Sequence, residues 1–141
     1  MEVADVRKGV LETMARAKQR AADRRARADA SAQAFDALLS HVVTPLMRQV
    51  ANVLRVEGYT FSVSTPSGSV RLASDKNADD FIEISLDTAG DAPQLTGRTS
   101  WRRGRQVVDR EQVVGAGAPQ AITENDVFSF LMKELEPFVE R

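Results

Sequence analysis

This sequence contains no cysteine and a single histidine, His41, among its 141 residues. Without cysteine the chain can form no disulfide, no thiolate nucleophile and no cysteine-based metal site. One histidine cannot build a histidine cluster for a metal, and no serine stands in a nucleophile-elbow pattern with it. We therefore expect no metal, no cofactor and no catalytic residues, and an enzyme is the least supported class of function.

Long apolar runs are also missing. No segment is long enough to cross a bilayer, and the first residues lack the apolar stretch of a signal peptide. The net charge of −1 gives the whole chain no strong attraction for nucleic acid or membrane. From these features we expect a cytoplasmic protein with no membrane contact and one domain of modest core.

Glycine and proline are scarce in the first third of the chain. Between residues 2 and 57 only Gly9 and Pro45 interrupt a sequence rich in good helix formers. This stretch predicts one very long helix, or two helices in line. Pro45 lacks a backbone donor and crowds the carbonyl of His41, so we expect a kink there, or a new helix with Thr44 as its N-cap.

The apolar pattern of this helical stretch has three parts. A narrow stripe at helical spacing comes first, residues 15–34 then hold no large apolar side chain, and a broad core-facing stripe runs from Phe35 to Leu54. Steps of three and four residues from the start give a seam of mostly small and apolar residues, in which Arg7, Arg24 and Ser31 are the exceptions. The residues expected to contact a partner are Val3, Val6, Val10, Met14, Ala17, Ala21 and Ala28.

Three hypotheses follow for the first 34 residues. The seam favours pairing with a second copy or docking to a larger protein partner, as in a coiled coil with small residues between the helices. Alternatively, the segment folds back at Pro45 and packs on the broad stripe of its own chain, or it stays a solvated helix. We divide the chain into an extended helical arm, residues 1–34, and a two-layer α+β domain, residues 35–141.

The remainder of the chain alternates apolar and polar residues in short segments separated by turn residues. This pattern predicts five strands with one covered face, at residues 59–64, 69–73, 81–87, 94–102 and 106–114. Gly97 indicates a bulge or a close approach within the fourth strand. In the fifth strand Val107 and Val113 have one parity and Val108 and Val114 the other, so we expect a bulge near residues 109–111.

A last helix is predicted to begin after Thr123, which forms a weak capping box with Asp126. Its apolar face includes Val127, Phe128, Phe130, Leu131, Leu135, Phe138 and Val139. The expected fold class is therefore α+β. A long N-terminal helix, either straight or kinked at Pro45, precedes a five-stranded antiparallel meander and a C-terminal helix that packs on one face of the sheet.

Two basic clusters carry the main alternative to a protein-binding function. The first is on the helix at residues 16–27, and comprises Arg16, Lys18, Arg20, Arg24, Arg25 and Arg27. The second surrounds a predicted hairpin tip, with Trp101, Arg102, Arg103 and Arg105. Guanidinium planes beside an indole suit single-stranded nucleic acid or an acidic partner surface.

Three other patterns fail as sites. Residues 75–80 open like a calcium loop but lack its glycine and its bidentate glutamate. Residues 115–119 lie where phosphate loops lie but lack the lysine and the hydroxyl residue. Glu83 and Asp87 share the polar face of a strand, and nothing singles them out as an acid–base pair.

The function best supported by the sequence is a non-enzymatic protein–protein binding or assembly module that self-associates or docks a partner through its long N-terminal helix. The alternative is a nucleic-acid-associated protein that uses the basic helix (16–27) and the arginine-rich hairpin (102–105). A third hypothesis places a small ligand between the sheet and its helices.

Overall fold

The computed structural model describes residues 1–90 and 92–140. Helix α1 spans Val3–Leu38, a π-helical segment spans Leu39–Val43, and α2 spans Thr44–Val56. The three segments form one continuous helix from residue 3 to residue 56. This confirms the predicted long N-terminal helix, and at 1.5 Å per residue its length is about 80 Å.

The helix accommodates Pro45 by widening one turn. The backbone N–H of Thr44 donates to the carbonyl of Leu39, five residues earlier, and Thr44 itself has φ −63° and ψ −49°. A turn widened by one residue leaves more room between a proline ring and the carbonyl four residues earlier, which here is that of His41. The expected new helix with Thr44 as N-cap is therefore wrong, since the chain remains helical there and the Thr44 side chain caps nothing.

Because the helix is continuous, α1 does not fold back onto the body of the chain. Every residue from Met1 to Arg20 is exposed. The folded-back alternative is not the conformation of this structure. The helix also runs without interruption through residue 34, where the sequence suggested a division between arm and domain.

Five strands follow in the predicted order. They are β1 (Phe61–Ser64), β2 (Ser69–Ser74), β3 (Phe81–Asp87), β4 (Gln94–Arg103) and β5 (Gln106–Val113). Each strand pairs antiparallel with the next, so the spatial order is the chain order. The antiparallel meander is thereby confirmed.

The register of β5 differs from the prediction. It pairs with β4 without interruption from Thr96 opposite Val113 to Arg103 opposite Gln106, so the expected bulge near residues 109–111 is wrong. Because β5 is an edge strand without a bulge, Val107 and Val113 lie on one of its faces and Val108 lies on the other. Val107 and Val113 are on the open face and are about half exposed, at 49% and 48%.

Helix α3 spans Glu124–Val139 after a short 3₁₀ turn at Pro119–Ala121. Its N-terminus has the complete capping box: the Thr123 hydroxyl accepts from the Asp126 N–H at 3.2 Å, and the Asp126 carboxylate accepts from the Thr123 N–H at 2.9 Å. An aspartate thus closes the box as the more common glutamate does.

Helices α2 and α3 cover one face of the sheet, as a two-layer α+β domain requires. The α2 helix contacts β1 and β2, and α3 contacts β4. The core between the layers is apolar and closed to solvent; its members include Val43, Met47, Leu54, Phe61, Leu72, Ile82, Ile84, Leu95, Val127, Leu131 and Phe138.

Candidate interaction surfaces

The first surface is an apolar stripe on the free part of α1, which we call the arm stripe. It consists of Val3, Val6, Val10 and Met14, which repeat at helical spacing and lie on one side of the helix. Their exposed fractions are 83%, 49%, 52% and 46%. Large apolar side chains in a row on a solvated helix are typical of a surface that another molecule covers.

The predicted seam continues past this stripe but changes character. Ala17 is exposed, whereas Ala21 and Ala28 are half-buried. This part of α1 lies beside the loop between β3 and β4, and Thr88 and Pro93 line the same shallow depression. The seam is therefore uncovered over residues 3–17 and lies against its own domain near Ala21 and Ala28.

The two basic clusters are at opposite ends of β4. The helix cluster at residues 16–27 lies toward Pro93, just before β4, while the arginine hairpin follows the end of that strand. Ten residues of strand separate them by about 33 Å. In the hairpin, Arg102 pairs with Asp79 at 2.7 Å, while Arg103 and Arg105 are exposed. The structure therefore does not bring the two clusters into contact.

The second apolar surface is a groove between α2 and α3, which we call the helix groove. Its volume is about 320 Å³, and Gln49 is its one non-apolar lining residue within the described chain. Val53, Phe128 and Met132 line it with exposed fractions of 64%, 43% and 37%. The remaining lining residues are Leu46, Val50, Leu54 and Leu135.

The sequence missed this groove. Val53 belonged to the broad stripe and Phe128 to the apolar face of the last helix, so both were expected in the core. The expectation is wrong because one sheet face buries only the side of each helix that points toward it. The sequence feature that could have predicted the groove is the width of the apolar stripe on α2, because one sheet face covers only part of a stripe that broad.

The helix groove is bordered by an acidic helix. Residues 124–140 carry five acidic side chains and one lysine, a balance of −4; the charged residues are Glu124, Asp126, Lys133, Glu134, Glu136 and Glu140. The arm, residues 1–34, carries eight basic and five acidic side chains, a balance of +3. The arm and the helix that borders the groove therefore have opposite net charge.

A buried ion pair lies between α3 and the sheet. Glu134 is fully enclosed and bonds to the guanidinium of Arg110 on β5, which is 44% exposed. The Arg110 guanidinium carbon also lies 5.4 Å from the centroid of the Trp101 ring. The burial of Glu134 was predictable from its spacing, since it lies four residues after Phe130 and four before Phe138 and therefore on the same helix face as both. The contact ties α3 to the edge of the sheet.

The sheet face that α2 and α3 do not cover carries ion pairs between its own side chains. Arg71 pairs with Glu83 at 2.7 Å, and Arg98 pairs with Asp109 at 2.6 Å. Phe81 lies on the same face and is buried beneath Arg71, whose guanidinium carbon is 4.0 Å from the ring centroid. Glu83 is engaged in this ion pair, and the Asp87 carboxylate accepts from the backbone N–H of Ala89 at 2.9 Å.

The carboxylates of the acidic turn at residues 75–80 form separate hydrogen bonds within the fold. Asp75 accepts from the Ser62 hydroxyl at 2.6 Å, and Asp80 accepts from the backbone N–H of Arg102 at 2.9 Å. Over residues 1–90 and 92–140 no group of three or more potential ligands is placed to hold a metal ion.

The glycine loop before α3 has left-handed backbone at Gly115 and Gly117, with φ of +69° and +87°. It leads into a helix N-terminus that its own Asp126 already caps, so a phosphate would meet a carboxylate there. His41 is exposed on the π segment.

No family model, no curated protein and no solved structure matches this chain. Within the described residues, no helix is both long and apolar enough to cross a membrane. The cytoplasmic location expected from the sequence stays a prediction.

Proposed function

We propose that this protein is a non-enzymatic assembly module that associates with a second copy of itself, or with a larger protein partner, through the arm stripe. One observation carries the proposal. Residues 1–20, which include the first eighteen residues of a continuous helix, are all exposed, and they present four large apolar side chains on one side. Packing of an apolar face is the usual source of helix stability, so a helix of this kind gains most from a partner that covers that face.

The proposal is tested by measuring the mass of the full chain by light scattering across a range of concentrations. Val6→Glu combined with Val10→Glu places two carboxylates in the arm stripe without touching the core, because both valines are about half exposed. We expect the wild-type chain to associate and this variant to be a monomer with unchanged helical content.

The matched control is Ala15→Glu combined with Ala26→Glu. Both alanines are exposed, and they lie on the side of α1 away from the stripe. The control should associate like the wild type. A wild-type chain that is a monomer at every attainable concentration would end the self-association branch and leave only a different protein partner.

Nucleic-acid binding is less well supported, because its two basic clusters lie at opposite ends of β4. If it were the function, affinity for single-stranded DNA or RNA would fall steeply with salt and depend on both clusters. Charge reversal of Arg103 and Arg105 should then weaken binding as strongly as charge reversal of Arg20 and Arg27. Absence of binding at low salt would remove this alternative.

A further inference from the structure

The chain carries two uncovered apolar surfaces that cannot meet within one molecule. The arm stripe is centred near Val10, and the helix groove is lined along α2 by residues from Leu46 to Leu54. Val10 and Val50 are forty residues apart on one continuous helix, which separates them by about 60 Å. A helix cannot bend back over that distance, so only another molecule can bring a stripe of this kind to the groove.

The two surfaces match in chemistry. A helix that binds in a groove inserts side chains at spacings of three and four residues, and the arm stripe has spacings of three, four and four. The groove offers Val53, Phe128 and Met132 as exposed apolar contacts. Burying these apolar surfaces against each other removes both from water, which favours association.

The net charges of the whole arm and of α3 have opposite sign. The arm has a balance of +3 over residues 1–34, and α3 with Glu140 has a balance of −4 over residues 124–140. The basic excess of the arm lies in residues 16–27, because residues 3–14 carry two basic and two acidic side chains. A parallel pair of arms would bring two copies of segment 16–27 together, where like charges repel. Electrostatics therefore favours the approach of an arm to α3 over parallel pairing of two arms.

We propose that the helix groove is the docking site for the arm stripe of a second copy of this chain. The inference rests on the proposed function and names the acceptor surface. Each copy has one arm and one groove, so the contact can be reciprocal within a dimer or can propagate from copy to copy. In either arrangement every interface joins one arm to one groove.

The experiment uses full-length variants of the two surfaces, alone and mixed. The acceptor variant combines Val53→Glu with Met132→Glu, and the donor variant is the Val6→Glu and Val10→Glu chain. We expect each variant alone to be a monomer where the wild type associates, because binding would enclose unpaired carboxylates. The expected loss of affinity is about a hundredfold or more.

A mixture of the two variants gives the decisive result. The acceptor variant still has an intact arm, and the donor variant still has an intact groove, so the mixture should form a one-to-one complex. The matched control for the groove is Asn52→Glu combined with Ser129→Glu. These exposed residues are on the same two helices but outside the groove, and the control should associate like the wild type.

Two outcomes overturn the inference, and they are distinct from failure of the proposed function. If the acceptor variant associates like the wild type while the donor variant does not, the arm binds a different surface and the groove is not its site. If the mixture remains monomeric although both variants are folded, the arm does not enter the groove. Should the double acceptor variant unfold, Val53→Glu alone repeats the test, since this valine is 64% exposed.

Discussion

The ring of Phe130 on α3 rests directly on the backbone of Gly97 in β4. A Cβ atom at position 97 would lie 2.1 Å from Cζ of that ring, closer than any two carbon atoms can pack. The missing side chain therefore lets α3 approach the sheet. The close approach predicted for this glycine is confirmed, and its cause is an aromatic ring from the covering layer.

Gly97→Ala should destabilise the protein by about 1–3 kcal/mol, because the new methyl group must displace a buried ring. Chemical denaturation followed by circular dichroism measures this change. Gly97→Ala together with Phe130→Leu should cost less than the sum of the two single changes, since the smaller side chain makes room.

The control for this prediction is Gly9→Ala in the arm. A Cβ atom at position 9 meets nothing within 4 Å, so alanine should be neutral to stability or favour the helix by up to about 1 kcal/mol. Equal effects of alanine at positions 9 and 97 would contradict the packing argument.

The ion pair of Arg110 with Glu134 predicts a large effect from removing one partner alone. Arg110→Met leaves a fully buried carboxylate without its cation, and we expect a loss of about 3 kcal/mol or more. Arg110→Met combined with Glu134→Met removes both charges and should recover most of that loss. Urea denaturation measures the free energy of unfolding of both variants. If the single and the double variant lose the same stability, the cost does not come from an unpaired carboxylate.

The π segment predicts how the long helix responds to a deletion. Removing Ser40, which is exposed, would return the wide turn to α-helical length. Pro45 would then crowd the carbonyl four residues earlier, at a cost of about 3 kcal/mol. The deletion also rotates Phe35 and Leu38 by about 100° relative to Met47 and so costs core burial, and adding Pro45→Ala should relieve only the part of the loss that the proline causes. A deletion variant that is as stable as the wild type would show that the proline does not require the wide turn.

The ion pair of Arg98 with Asp109 predicts a dependence of stability on pH. The hydrogen bond from Arg98 holds the pKa of Asp109 below its ordinary value of 3.8. A lowered pKa in the folded state stabilises the protein above pH 3.8, and this contribution is lost as the pH falls through the folded value. Both side chains are nearly half exposed, so the contribution is below about 1 kcal/mol.

Asp109→Asn should therefore lower the melting temperature slightly at pH 7 and have no such effect well below pH 3.8. Thermal unfolding of both chains across this range provides the measurement. A difference in melting temperature that is the same at neutral and acidic pH would contradict the assignment.

The sequence by itself determined the element order of this protein. The scarcity of glycine and proline before residue 57 indicated one long helix or two in line, because only Gly9 and Pro45 interrupt the good helix formers there. Alternation of apolar and polar residues between short turns determined five strands, and the short connections made them an antiparallel meander. The Thr123 cap was predictable for the same reason, since it follows from local chemistry. Gly97 indicated a bulge or a close approach, and the contact with Phe130 decided between them.

Only the tertiary structure decided the features that depend on contacts between the helices and the sheet or between neighbouring strands. A helix break and a widened turn both relieve the crowding of a helical carbonyl by Pro45. The widened turn is the one found here, and it keeps Phe35 before it and Met47 after it in the core. The straight register of β5 depends on β4, and the exposure of Val53 depends on how far one sheet face reaches. Apolar patterning shows which residues gain from leaving water, but which of them are covered is determined by the shape of the opposing layer.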